Sequence, residues 1–228
     1  MHTLRLTLAT ILATATVSAG PILGQIDRFS TASTLNWTNG APGTDPVVIS
    51  AGGPGGAGDG YLQVTANGAG ATGRLTVFNR TQWTGDFSTP GVYLVEMDLA
   101  NFGASALSMR LALKSGTLAG SPGFVSTTAF ALAADSNWHH ASFLLDAADL
   151  TLVGSGLTLS SLLSGVAEMR IINAPTASLN GVNVVGQIGI DNISATAPVP
   201  EPGTILLFGA ALLAGGLWRL RRGLFDWL

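Results

Sequence analysis

Between residues 20 and 197, apolar and polar residues alternate in short runs interrupted by Gly, Pro, Asn and Ser. Period-two runs of this kind predict strands that turn one face to a core. They fall at residues 47–50, 61–66, 74–78, 91–98, 106–114, 127–131, 139–144, 168–173 and 187–195. Runs recurring about every ten residues, with no long amphipathic helix between them, predict an all-β fold, an antiparallel β-sandwich. Residues 157–163 carry apolar side chains at mixed spacing and read as a short helix or a turn. No internal repeat of the length that builds propellers or solenoids is present.

The pattern changes at both ends. Arg5 precedes an apolar, Thr-studded run from Leu6 to Val17, and Val17-Ser18-Ala19 supplies the small residues that a signal peptidase reads. Residues 1–19 are therefore expected to be a secretory signal peptide, cleaved after Ala19. Near the other end, residues 204–218 carry no charge. As a helix these would span about 22 Å at ~1.5 Å per residue, short of the ~30 Å hydrocarbon core. A single C-terminal transmembrane helix of this length needs help from its flanks or a thinned bilayer. Arg219, Arg221 and Arg222 follow at once, and a basic cluster there stays cytoplasmic, which places residues 20–197 on the outer side of the membrane.

Val199, Pro200, Glu201 and Pro202 lie just ahead of the apolar run. The two prolines cannot continue a helix and bias their predecessors toward extended backbone, so Glu201 is expected in an exposed strip beside the membrane. This Pro-Glu-Pro stretch, the apolar helix and the arginine cluster together resemble the PEP-CTERM sorting signal over residues 198–228. The resemblance implies processing by an exosortase, a membrane-embedded transpeptidase with its own cysteine nucleophile. It further implies a Gram-negative host that makes extracellular polysaccharide. The chain would then be anchored only transiently in the inner membrane before reaching the cell surface or matrix. An ordinary single-span anchor behind a proline-rich linker is the competing reading.

Charge and composition narrow the chemistry. Charged residues make up 10% of the chain, and cysteine is absent, which excludes disulfides, thiol catalysis and Cys-ligated zinc. The six cationic residues of the middle, Arg28, Arg74, Arg80, Arg110, Lys114 and Arg170, are dispersed along the sequence and form no basic stripe, so nucleic acid is not an expected partner. "GPGGAG" at residues 53–58 satisfies the spacing of a dinucleotide fingerprint. The strand pattern "YLQVTA" follows it where a helix is required, and it reads as an inter-strand loop.

The segments "QIDRFS", "GDGYLQVTA", "TQWTGDF", "GVYLVEMDLANFG", "SNWHHASFLL" and "IGIDNISA" give the middle a resemblance to jelly-roll modules of the carbohydrate-binding or laminin-G-like kind. In such modules the first and last strands pair, and an Asp near each often contributes to a structural calcium site. The matching positions are Asp27 and Asp191. Calcium wants six to eight hard oxygens, so two carboxylates cannot complete a site, and turn-capping by both residues is the alternative.

Candidate sugar-binding residues are Trp37, Trp83 and Tyr93, as stacking platforms, with Phe87 beside them and Asn101 or Arg110 as hydrogen-bonding partners. Core packing is the competing reading for the tryptophans and the expected one for Trp138. His139 and His140 are adjacent and point to opposite strand faces, with Trp138 and His140 on one of them. Glu96 and Asp98 share a strand face, where a solvated surface is expected ahead of an acid/base pair. No nucleophile-elbow, zincin, kinase or P-loop signature occurs. The sequence thus points to an exported, exosortase-processed, non-enzymatic surface or matrix protein whose sandwich contacts polysaccharide. The alternatives are a glycan-active enzyme using Glu96, Asp98 or Glu168, and a permanently anchored structural protein.

Overall fold

The structure, a computed structural model of the chain, describes residues 20–40 and 45–197. The expected signal peptide, the Pro-Glu-Pro motif with Val199, Pro200, Glu201 and Pro202, the apolar run, and Arg219, Arg221 and Arg222 lie outside the described residues.

Two antiparallel sheets of six strands pack face to face. The first sheet runs β2 (Val47–Ile49), β3 (Tyr61–Asn67), β12 (Val185–Thr196), β5 (Leu94–Asn101), β9 (Trp138–Leu144), with β1 (Ile26–Asp27) also paired to β12. The second runs β10 (Leu150–Val153), β7 (Gly123–Ser126), β6 (Leu107–Lys114), β11 (Glu168–Asn173), β4 (Thr76–Asn79), with β8 (Phe130–Leu132) also on β6. A 3₁₀ turn (Gly70–Thr72) and one short α-helix, α1 (Leu159–Leu163), interrupt the described strands, the Ser161 amide donating to the capping Thr158 Oγ1 at 3.2 Å.

The period-two pattern explains the core. Val95, Met97 and Leu99 of β5 point inward, as do Met109, Leu111 and Leu113 of β6 and Met169 and Ile171 of β11. Each burial of such a side chain contributes about 1.5–3 kcal/mol, and together they clamp the two sheets. All nine predicted strand regions contain strands, and α1 falls within 157–163. β1, β7 and β10 lie outside the predicted runs. They span two to four residues each, too few for alternation to show above background.

One irregularity decides which side chains reach each face of the first sheet. The pairing of β12 with β5 shifts register between Asp191 and Ser194, and Asn192 there has φ of 51°. This β-bulge changes which face each flanking residue occupies.

Candidate functional site

The sequence-predicted residues separate by face. Trp37 and Trp83 are both buried, their rings 6.5 Å apart, and both donate an indole N–H to Asp27 Oδ2, at 2.7 and 2.8 Å. Neither ring offers a face to a sugar, which corrects their reading as platforms; an indole that finds a buried acceptor belongs to the core. Phe87 is buried as well. Asn101 is buried at the end of β5, donating to Ser105 O and accepting from the Gly103 amide, both within 3.0 Å. It too is closed to a ligand. Of these five residues Tyr93 alone remains at the surface, 48% exposed.

Asp27 and Asp191 are brought onto paired strands but to opposite faces. Asp27 lies opposite Ile193, a core residue, and points inward to the tryptophans. Asp191 lies opposite Asp98, whose face is outward, because the bulge intervenes. Asp191 is 1% exposed, accepts one hydrogen bond from the Phe29 amide through Oδ1, and leaves Oδ2 buried with no partner. Burial, with the charges of Asp59 and Asp98 nearby, pushes its carboxyl up to about 6. Aspartates on opposite faces do not fit a shared calcium ion, and among the described residues no three His, Asp or Glu side chains converge on a metal position.

The outer face of the first sheet is acidic. His140 of β9 sits over β5 with Nδ1 3.0 Å from Asp98 Oδ1 and Nε2 3.2 Å from Glu96 Oε1. Asn192 donates to Asp98 Oδ2 at 2.8 Å, and Thr196 to Glu96 Oε2 at 3.0 Å. Hydrogen bonds to Asp98 first and to Glu96 next hold the His140 imidazole above its ordinary pKa. Both carboxylates are thereby tied into a surface network, the arrangement expected of a solvated face. At the end of the same face Trp138, read from sequence as core, lies outside it. Its ring packs edge-on to Tyr61 at 5.3 Å and near Phe102 at 6.3 Å, above Gly189, where a Cβ would come within 2.7 Å of the indole.

The second sheet presents the contrary charge. Thr76 and Phe78 of β4, Arg110, Ala112 and Lys114 of β6, and Glu168, Arg170 and Ile172 of β11 alternate with the core residues and share the outer side. Arg74 and Arg80 flank β4 at the same two-residue period. Five of the six middle cations, Arg74, Arg80, Arg110, Lys114 and Arg170, therefore gather on one face. This corrects the reading of a dispersed set: strand order β6-β11-β4 unites residues far apart in sequence. The spacing of Arg110 from Lys114, and of Glu168 from Arg170, was the local signal available.

Glu168 is fully buried at the centre of this cluster, paired with Arg80, Arg170 and, at 3.7 Å, Lys114. It has no room for an acid/base role. Burial, and then the neighbouring Arg170, hold the Lys114 ammonium below its ordinary pKa, with Glu168 opposing them. Arg110 is enclosed by four carbonyls, those of Ala174, Ser126, Thr127 and Pro175. Leu179 packs on Ala112, Val125 and Ile172, capping one end of the face. The other end is open as a pocket of about 150 Å³ lined by Asn39, Arg74, Thr76, Phe78, Arg170 and Asn180.

Comparison with known proteins agrees with this architecture. Residues 198–222 match the PEP-CTERM protein-sorting motif. The sandwich is similar to a family 11 carbohydrate-binding module from Clostridium thermocellum, solved in complex with a β-1,3-1,4-mixed-linked tetrasaccharide. That likeness has a TM-score of 0.50 at 16% identity and covers 80% of this chain and 100% of that one. It is also similar to part of an exo-β-agarase, with a TM-score of 0.50 at 12% identity over 78% of this chain and 26% of that one. Identities this low establish the fold. No curated protein sequence matches the chain. The chain thus joins a PEP-CTERM sorting motif to a jelly-roll sandwich similar in fold to that module.

Proposed function

We propose that this is an exported, non-catalytic protein, released from the inner membrane by an exosortase acting at its C-terminal motif, whose sandwich binds polysaccharide at the cell surface or in the matrix. The matched motif at residues 198–222 carries the reading. Residues 1–19 act as the signal peptide, residues 20–197 as the delivered domain, and residues 198–228 as the sorting segment. The fold shared with a module solved on a glucan tetrasaccharide supports a saccharide ligand.

The carboxylates favour binding over catalysis. Glycoside hydrolysis needs two of them free on either side of a scissile bond. Glu96 and Asp98 are instead bridged by His140, and Glu168 is enclosed by cations. Surface material from the native host, measured by intact mass, is expected to begin after Ala19 and to end in the Pro-Glu-Pro region. Recovery of Trp227 and Leu228 in the mature species would overturn the processing.

A further inference from the structure

We propose that the open pocket of the second sheet holds the anionic group, a carboxylate or a sulfate, of an acidic polysaccharide. This rests on the polysaccharide reading and names the class of polymer.

The face around the pocket carries excess positive charge. Arg80, Lys114 and Arg170 share the single carboxylate of Glu168, both of whose oxygens are taken by guanidinium Nε groups. Three cations around one anion leave a net surplus. The Arg74 side chain, exposed at the pocket wall, has no hydrogen-bond or ion-pair partner among the described residues. Asp45 lies nearby, bonded to Thr38 Oγ1 at 2.7 Å, and is not part of the lining.

The donors are also held in place before any ligand arrives. Arg170 is fixed by Glu168 through Nε and through Nη1 by Leu179 O at 2.9 Å and Asn180 Oδ1 at 2.8 Å, while its Nη2 has no partner among the described residues. The Phe78 ring supports the guanidinium carbons of Arg80 at 4.3 Å and Arg170 at 5.6 Å from its centroid. Thr76 Oγ1 accepts from the Gly181 amide at 3.1 Å, so its hydroxyl hydrogen is available to a ligand. Two guanidiniums and a hydroxyl converging on one spot suit a planar carboxylate or a sulfate, which arginine engages through paired N–H groups.

Size limits what enters. The pocket is small, about 150 Å³. It admits the charged substituent of one sugar, while the polymer chain passes over the rim. The acidic face of the first sheet would repel the same polymer, so binding is one-sided.

The full chain, purified in detergent, is to be titrated with polygalacturonate, a sulfated galactan and a neutral mixed-linkage β-glucan by affinity electrophoresis. At least one acidic polymer is expected to bind tenfold or more tightly than the glucan, and which one does so separates carboxylate from sulfate. Arg74→Gln is expected to weaken that binding at least tenfold with an unchanged melting temperature, and Arg74→Lys to restore part of it. Glucan binding as tight as that of the acidic polymers, or an Arg74→Gln variant that binds normally, would overturn the proposal and leave polysaccharide binding standing. Binding to none of the three would sink both. Equally tight binding of double-stranded DNA would reduce the face to nonspecific charge and also overturn it.

Discussion

On the outer face of the first sheet, Glu96 and Asp98 share His140 and are hydrogen-bonded at the surface by Thr196 and Asn192. On the outer face of the second, Arg80, Lys114 and Arg170 surround a fully buried Glu168. The two arrangements use similar residue types to different ends. Exposed pairs in water contribute little to stability, because solvent competes for every partner. Buried pairs cannot be separated cheaply, because a charge left behind in the interior has nothing to replace its partner. The first face is thus a tolerant surface, whereas the second is a rigid frame that ends in an open, positively charged pocket. In a chain with 10% charged residues, gathering five of the six middle cations on one face has a consequence for ligand choice.

The largest effect expected from breaking this contrast is at Glu168. Glu168→Gln removes the one negative charge among three cations and should cost about 3–5 kcal/mol, read by urea unfolding at neutral pH. A loss below about 1 kcal/mol would mean that the cluster behaves like the opposite face.

Asp191 sharpens the contrast from the acidic side, since it is the one buried carboxylate there with an unpartnered oxygen among the described residues. Its folded pKa of about 6 stands above the ordinary 3.8. The folded state therefore holds its proton more tightly than the unfolded chain, and stability falls as pH rises from about 4 to about 6, then levels. The penalty above that window is on the order of 3 kcal/mol. Asp191→Asn, measured in EDTA at pH 7, should recover much of it and flatten the slope. An unchanged slope in the variant would assign the pH dependence elsewhere.

The smallest effect belongs to His140, on the solvent-exposed network. Its raised pKa means that its contribution is fully present below the ordinary value of 6.5 and is lost as pH rises through the folded value. His140→Gln should cost below about 1 kcal/mol at pH 6 and nothing at pH 9. A larger loss, or one that persists at pH 9, would give the two faces comparable weight.

Much of the frame is legible in the sequence. Alternation locates nine strand regions because a half-buried strand must repeat every two residues. What alternation misses depends on pairing. The cations of β6 and β11 and those flanking β4 lie far apart in the chain, from Arg74 to Arg170, and only the sheet order places them side by side. Asp27 and Asp191 do lie on paired strands, yet a bulge at Asn192 turns them to opposite faces, and a one-residue irregularity leaves no mark in the pattern. Trp37 and Trp83 look like sugar platforms because their sequence neighbours are polar. Asp27, a buried acceptor for both indoles, draws them inward instead. Trp138 goes the other way, outward, because Gly189 leaves room for its ring on the first sheet's outer face.

Where an acidic polysaccharide lies on the sandwich is read most directly by amide hydrogen exchange of the full chain, with and without polygalacturonate or the sulfated galactan, whichever binds. Protection is expected over residues 74–80 and 168–181, around Arg74, Phe78 and Arg170, with residues 94–98 and 138–144 unchanged. Protection centred on Glu96, Asp98 and His140 instead would contradict a ligand site on the cationic face.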